Sequence, residues 1–263
     1  MSFTKLLAFL ESGCLHFTRA DKLVEIDPYE GRLTHVNAAT KNLTWDMAPP
    51  AFWEAKGFKT EESLKQFVAM KNMRLSWEEA DGMLQGLFVN CWHLGNEESD
   101  AMWKIYAGDQ EGVCIQSTFG HLVSSLNSVE EPIFIGKVKY RNYRMDSINE
   151  GDVFAPLMSK RLSFQHEHEL RAVVWRIQDT ERVLIKADGS PGDANNWARA
   201  KSVNKYPDRL GYNIQVNVPS LVETICISPT SRPWFSRLVQ SMVEKLGFNL
   251  EVRQSDVGEP PPY

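Results

Sequence analysis

The chain lacks any apolar run long enough to cross a membrane. The short apolar stretch within Met1 to Leu10 stops at Glu11 and Ser12, well below the roughly 20 residues that a spanning helix needs. Glycine patterns of the Walker or Rossmann type and a nucleophile elbow are missing too, so two familiar ways of cradling a nucleotide and one of activating a serine are excluded. Cysteine is scarce. Cys14, Cys91, Cys114 and Cys226 lie far apart, mostly inside apolar runs, and each is expected to be a reduced thiol packed as a small hydrophobe. Cys91-x-His93 and His166-x-His168 have no second pair at structural-zinc spacing, so no metal site is expected. Excess positive charge is absent as well. A net charge of -5 argues against strong non-specific nucleic-acid binding, which depends on neutralising phosphates. Local basic groups remain at Lys137, Lys139, Arg141, Arg144, Lys160 and Arg161, and at Arg199, Lys201, Lys205 and Arg209.

What is present is an ordinary globular composition. Hydrophobic residues make up 43%, with 8 Trp and 13 Phe, enough for a core that needs no disulfide or metal. No linker or internal repeat divides the chain, so one domain over residues 1–254 is expected, with a loose Pro-rich tail over 255–263 and a cytoplasmic location.

Periodicity alternates irregularly between helix and strand, which points to an α+β fold. Helices are expected over Thr4 to Glu11, within Glu61 to Leu84, over Glu97 to Ala107 behind Asn96, over Phe119 to Leu126, Asp152 to Leu162 and Arg232 to Leu246. Strands are expected over Cys14 to Thr18, Leu87 to Trp92, Val113 to Gln116, Ile133 to Tyr140, Leu170 to Ile177, Val183 to Lys186, Tyr212 to Val218, Thr224 to Ser228 and Leu250 to Val252. Ala187 to Arg209 reads as a long loop that covers a site.

The most informative feature is Glu167-x-Glu169, followed at once by a strand-like run. Two carboxylates at i and i+2 on an extended segment share a face and can stabilise positive charge. Cleavage of the bond between nicotinamide and ribose develops such charge at the anomeric carbon. Glu169 would be held by strand pairing next to that carbon, while Glu167 would orient a nucleophile. Arg19 could grip a pyrophosphate through paired hydrogen bonds; an ion pair with Asp21 or Glu30 is the ordinary alternative. Ser117 and Thr118 could orient Glu169 or a ribose, or cap the following helix. Trp103 and Tyr106, at i and i+3, could stack on nicotinamide or pack the core. Asp27 and Glu30 bracket a Pro-Tyr turn and are read as turn chemistry.

Taken together, Leu15-His16-Phe17-Thr18-Arg19, Asp27-Pro28-Tyr29-Glu30-Gly31, Met102 to Ala107, Gly112-Val113-Cys114-Ile115, and Lys160 with Phe164, Glu167, Glu169 and Arg171 resemble the bacterial family called domain of unknown function 2971. More distantly, the chain resembles ADP-ribosyltransferases of the Arg, Ser, Glu-x-Glu type. That likeness implies a single α+β domain with a central split, mostly antiparallel sheet and a helical insertion. It also implies NAD as substrate, Arg19 on the NAD phosphate or ribose, Ser117 in support, Glu169 as catalytic glutamate and Glu167 activating the acceptor. Phe164, Gln165 and Arg171 fall on the acceptor side, and Thr118, Trp103, Tyr106 and His16 on the NAD side. Ser117-Thr118-Phe119 departs from the group's Ser-Thr-Ser, and the gap from Arg19 to Ser117 is long. A His-Tyr-Glu assignment, with His16 and Tyr106 beside Glu169, is the alternative.

The expected function is transfer of ADP-ribose to a macromolecular acceptor, nucleic acid or protein, by a toxin or phage-defence effector, with an NAD glycohydrolase as a form of the same chemistry. The implied partners are NAD, the acceptor and an inhibitory partner protein, with no membrane. Two other classes stand beside it. One is a non-enzymatic interaction module in which Glu167, Glu169 and Arg171 form an ion-pair network. The other is a metal-dependent nuclease using Asp27, Glu30 and the paired glutamates, a reading that lacks an obvious lysine beside its ligands.

Overall fold

In the computed structural model, residues 1–74, 82–107, 111–193, 195–196 and 199–258 are described. The elements run α1 (Phe3–Ser12), β1 (Cys14–Arg19), α2 (His35–Thr40), α3 (Pro50–Ala55), α4 (Glu61–Arg74), β2 (Leu87–His93), α5 (Asp100–Tyr106), β3 (Val113–Gln116) and α6 (Phe119–Leu126). They continue with β4 (Ile133–Lys137), β5 (Lys139–Arg141), β6 (Ser159–Arg161), β7 (Glu169–Trp175), β8 (Thr180–Ile185) and β9 (Arg199–Asn204). The last are β10 (Gly211–Gln215), α7 (Val218–Leu221), β11 (Thr224–Ile227), α8 (Pro233–Lys245) and β12 (Glu251–Gln254).

Five strands form the main sheet in the order β10-β1-β2-β7-β4, with every pairing antiparallel. A second sheet, β12-β11-β3, joins one parallel and one antiparallel pair. The architecture is therefore a mixed α/β domain with mostly antiparallel sheets. Alternation decides which residues meet between the sheets, because successive side chains on a strand point to opposite faces. Leu15, Phe17, Phe88, Leu170, Ala172, Val174 and Ile214 cover one face of the main sheet. They pack into a single core with Val113, Ile225 and Ile227 of the second sheet and with α1 and α8.

The opposite face is divided. Its lower half, Leu87, Val89 and Val173, is covered by a smaller cluster with Ala20, Leu84 and Leu157. Its upper half carries His16, Cys91, Arg171 and Glu169 on the same strand parity. That half holds the charged cluster described below.

Local chemistry sets the element ends. Ser2 caps α1 by accepting from Lys5 N, and Gly13 closes it with φ 64°, donating to Phe9 O at 2.8 Å. Thr118 caps α6 in the same manner, accepting from His121 N.

Several expectations are corrected. No helix forms over 152–162; Gly151 and Pro156 favour turns there, and Ser159–Arg161 is drawn into parallel pairing with β5. The expected strand over 133–140 breaks into two, since Val138 N donates to Glu169 O and Lys139 N turns to Met158 O. The expected long loop contains β9, paired antiparallel with β8 from Thr180↔Asn204 to Ile185↔Arg199. α5 starts at its cap Ser99, three residues later than Asn96 suggested. α2 and α3 lie in a stretch without a periodic signal. Parts of the helical region at 75–81 and the tail at 259–263 lie outside the described residues. Among the described residues, no helix is long and apolar enough to cross a membrane.

Candidate active site

The two glutamates do not form a simple i, i+2 pair on one strand. A 3-10 turn carries Leu162–Glu167, and His168 sits at φ 41°, ψ 51° before β7 begins at Glu169. His168 is the one non-glycine residue with positive φ among the described residues. Such backbone costs free energy and persists only where its surroundings impose it. Those surroundings are visible: Leu94 N donates to His168 O at 2.8 Å, and His93 Nδ1 donates to Glu167 O at 2.7 Å. The end of β2 thus pins the turn and holds both carboxylates beside one cation, Lys160 on β6.

Lys160 Nζ donates closely to Glu167 and reaches Glu169 Oε2 at 3.4 Å. Arg171 grips Glu169 from Nε to Oε1 and from Nη2 to Oε2, both at 2.9 Å. The same guanidinium reaches both carboxylate oxygens of Glu30, with Nη2 to Oε2 at 3.1 Å, and donates to Leu157 O. It is only 1% exposed. A buried guanidinium needs this complement of acceptors, since desolvation of an unpaired charge costs several kcal/mol or more.

Glu30 arrives on the Asp27-Pro28-Tyr29-Glu30-Gly31 turn. Asp27 Oδ1 accepts from Tyr29 N at 3.1 Å, Asp27 O accepts from Glu30 N at 2.8 Å, and Gly31 takes φ 67°. A second ion pair, Arg161 Nη2 to Asp27 Oδ1 at 2.6 Å, anchors this turn, with Arg161 lying over the rings of Tyr29 and Phe164. The turn carboxylates therefore act on distant arginines, a role their local spacing did not reveal.

Burial pushes the Glu169 carboxyl up, but the Arg171 charge and hydrogen bonds, aided by Lys160, outweigh it and hold the group below the ordinary carboxylate range. Burial likewise disfavours charge on Lys160, and the charges of Glu169 and Glu167 overcome it, raising the ammonium above its usual value. Solvent reaches Cys91. Protein nevertheless crowds its thiol, and burial, with the nearby Glu169 charge, pushes it up. Tyr106, 58% exposed, stands at the end of α5 where burial and the negative charge of Glu167 raise its phenol. The Tyr140 hydroxyl accepts from Glu169 N at 2.8 Å, which fixes the start of β7.

Four carboxylates, Asp27, Glu30, Glu167 and Glu169, meet three cations, Lys160, Arg161 and Arg171. One negative charge is left in excess. The lysine wanted by the nuclease reading is Lys160, but each of these carboxylates is already ion-paired, with Lys160 and Arg171 each shared by two. Among the described residues, no group of three or more His, Cys, Asp or Glu is arranged to hold a metal.

His16 lies across the sheet. The β1–β2 ladder runs only through Arg19↔Phe88 and Thr18↔Val89; beyond it, Asn90 Nδ2 donates to His16 O at 3.0 Å. The His16 ring rests over Gly211, where an added Cβ would come within 2.1 Å of its Cε1. Nδ1 carries a hydrogen and donates to Asn213 Oδ1 at 2.8 Å.

Arg19 is elsewhere. It pairs with Phe88, which pairs with Val174, so it has the opposite parity to Glu169. Its guanidinium is buried against Asp21, at 2.7 and 3.0 Å, and the carbonyls of Pro207 and Arg209, at 3.0 Å each. Ser117 donates to Leu221 O, Thr118 caps α6, and Trp103 is buried with Nε1 on Glu98 Oε2 at 3.0 Å. None of these four joins the cluster, because each is engaged by its own element. Phe164 lies over Lys160, at 4.9 Å from Nζ to the ring centre, and Gln165 is exposed on the same turn. Arg171, expected on the acceptor side, is instead the buried clamp of Glu169.

No family model, no curated protein and no solved structure matches the chain.

Proposed function

We propose that the protein cleaves NAD at the nicotinamide–ribose bond and transfers ADP-ribose to a macromolecular acceptor, with a His16, Tyr106, Glu169 set in place of Arg19, Ser117, Glu169. The observation that carries this reading is Glu169 itself: an ionised carboxylate clamped by Arg171, on the face shared with His16 and beside the exposed Tyr106. Excess negative charge in this cluster suits an oxocarbenium-like transition state. The early parting of β1 and β2 is consistent with a split-sheet ADP-ribosyltransferase fold.

In this reading Tyr106 stacks on the nicotinamide and His16 Nε2 hydrogen-bonds a ribose hydroxyl. Across two strand spacings, His16 and Glu169 are roughly 10 Å or more apart, a span for a nucleoside rather than a single bond. Glu169 faces the anomeric carbon and the 2′-hydroxyl. Nicotinamide leaves with the electrons of the broken bond and becomes neutral. The acceptor attacks the anomeric carbon and gives its proton to Glu167, which Lys160 holds in place. Phe164 and Gln165 line the acceptor approach. Lys137 pairs with Leu170 and so has the parity of the opposite face, which weakens the case that this basic strip guides nucleic acid to Glu169. The biological setting proposed is a bacterial toxin or phage-defence effector, restrained by an inhibitory partner.

The test is incubation with labelled NAD and bacterial lysate, reading nicotinamide release and label on protein and on nucleic acid. Wild type should release nicotinamide, and Glu169→Gln should not. Absence of both signals from folded wild type in lysates of several bacterial sources would sink the reading. An ion-pair-stabilised binding module, favoured by the bidentate Glu30–Arg171–Glu169 chain, would then stand. Divalent-ion-dependent cleavage of nucleic acid without NAD would instead restore the nuclease.

A further inference from the structure

Cys114 on β3 and Cys226 on β11 stand directly opposite each other in the antiparallel ladder. Ser228 N donates to Gly112 O at 2.9 Å, which marks Gly112 and Ser228 as a hydrogen-bonded pair. By the alternation of the ladder, Cys114 and Cys226, two residues further along each strand, form another. Pairs of this kind hold their Cα atoms about 5.5 Å apart, within the roughly 4.4–6.8 Å range that a disulfide spans. Opposed residues also direct their side chains to the same face. Closing the bond draws the two Cβ atoms in from about 5 Å towards the roughly 3.5–4.5 Å that a disulfide spans.

Access to the pair is unequal. Cys226 is fully buried, whereas Cys114 is partly open to solvent. The Cys226 Sγ lies 3.5 Å from Glu98 Oε1, a carboxylate able to accept its proton. The other two cysteines are placed differently. Cys14 Sγ donates to Gln215 Oε1 at 3.2 Å at one edge of the main sheet, and Cys91 stands beside Glu169.

We propose that Cys114 and Cys226 are a peroxide-oxidisable pair that closes into an intramolecular disulfide. The Cys114 thiolate attacks one peroxide oxygen, forming a sulfur–oxygen bond and releasing hydroxide, which takes up a proton to give water. Cys226, losing its proton, attacks the resulting sulfenic sulfur and expels the oxygen as a second water. Two thiols are oxidised and one peroxide is reduced. Cys114 suits the first step because it is the one of the two that solvent reaches. Cys226, buried and opposite Cys114 in the ladder, suits the second.

The experiment treats the full chain with limiting hydrogen peroxide, quenches it in denaturant with N-ethylmaleimide and maps peptides by mass spectrometry without reduction. The expected result is a crosslinked species joining the Cys114 and Cys226 peptides, lighter by two hydrogens and cleaved by dithiothreitol. Cys14 and Cys91 should be alkylated. The Cys14→Ser, Cys91→Ser double variant should give the same crosslink. The oxidised wild type should also melt at a higher temperature than the reduced form, since the bond closes a long loop. Overturning results are a sulfenic or sulfinic Cys114 beside a still alkylatable Cys226, a crosslink involving Cys14 or Cys91, an intermolecular bond, or no thiol loss. The mapping is done on wild type, so it does not depend on the fold of any variant.

Discussion

Arg171 holds both oxygens of Glu169 at 2.9 Å from a position two residues along the same strand face, while its far edge grips Glu30 from a turn 141 residues away in sequence. One guanidinium thereby fixes the candidate catalytic carboxylate and ties the N-terminal turn to the main sheet. Removing it strips Glu30 of its cation and leaves Glu169 with Lys160 alone, at 3.4 Å.

Arg171→Met should therefore destabilise the protein by roughly 3–5 kcal/mol, the cost of breaking a buried ion pair from one side. Arg171→Lys should recover only part of this, because an ammonium cannot reproduce two parallel bonds to each carboxylate. Urea unfolding of the three proteins checks both. A loss below about 1 kcal/mol in Arg171→Met would contradict the clamp.

Stability should fall at both ends of the pH scale for different groups. Glu169 has a lowered folded-state pKa, so its contribution is complete above the ordinary glutamate value of about 4.3. That contribution is lost as pH falls through the lower folded value. Lys160 has a raised pKa; its contribution is complete below about 10.4 and is lost as pH rises through the higher folded value. Urea midpoints measured against pH should show a shallower acid limb in Glu169→Gln than in wild type. An equal or steeper acid limb in the variant would contradict the assignment.

Arg19 and His16 should separate stability from turnover. Arg19→Ala removes the donor to Asp21 and two carbonyls and should cost about 1–3 kcal/mol, with nicotinamide release per folded molecule unchanged. His16→Ala should do the reverse, cutting release at least 10-fold with little change in the urea midpoint. If Arg19→Ala abolishes turnover in folded protein, the His-Tyr-Glu set is wrong.

Gly211 leaves room for the His16 ring. In Gly211→Ala the new Cβ would lie 2.1 Å from His16 Cε1 and 3.0 Å from Phe17 O, so the ring must move. A stability loss of about 1–3 kcal/mol is expected from overpacking, together with reduced nicotinamide release. Retention of full release would mean that His16 has no fixed part in the site.

Much of the fold was legible from local pattern. The apolar runs of β1, β2, β7 and β11 and the cap Thr118 are short-range signals, and they appear where expected. β6 was not legible: Ser159-Lys160-Arg161 carries no strand pattern and becomes extended only because β5 pairs with it. Arg19 misled because its order before Glu169 along the chain says nothing about the face it occupies; that depends on a register set by Phe88 and Val174.

By itself, the sequence determined the residue types available for chemistry, the paired glutamates and the strand and helix periods, because these depend on neighbours along the chain. Tertiary structure alone decided that Lys160 bridges Glu167 and Glu169 and that Asp27 and Glu30 reach two distant arginines. It also decided that His16, rather than Arg19, shares a face with Glu169, and that Cys114 opposes Cys226. The physical reason is common to all of these. Ion pairing, sheet parity and thiol contact act through space, over distances that chain order does not encode until the strands have chosen their partners and register.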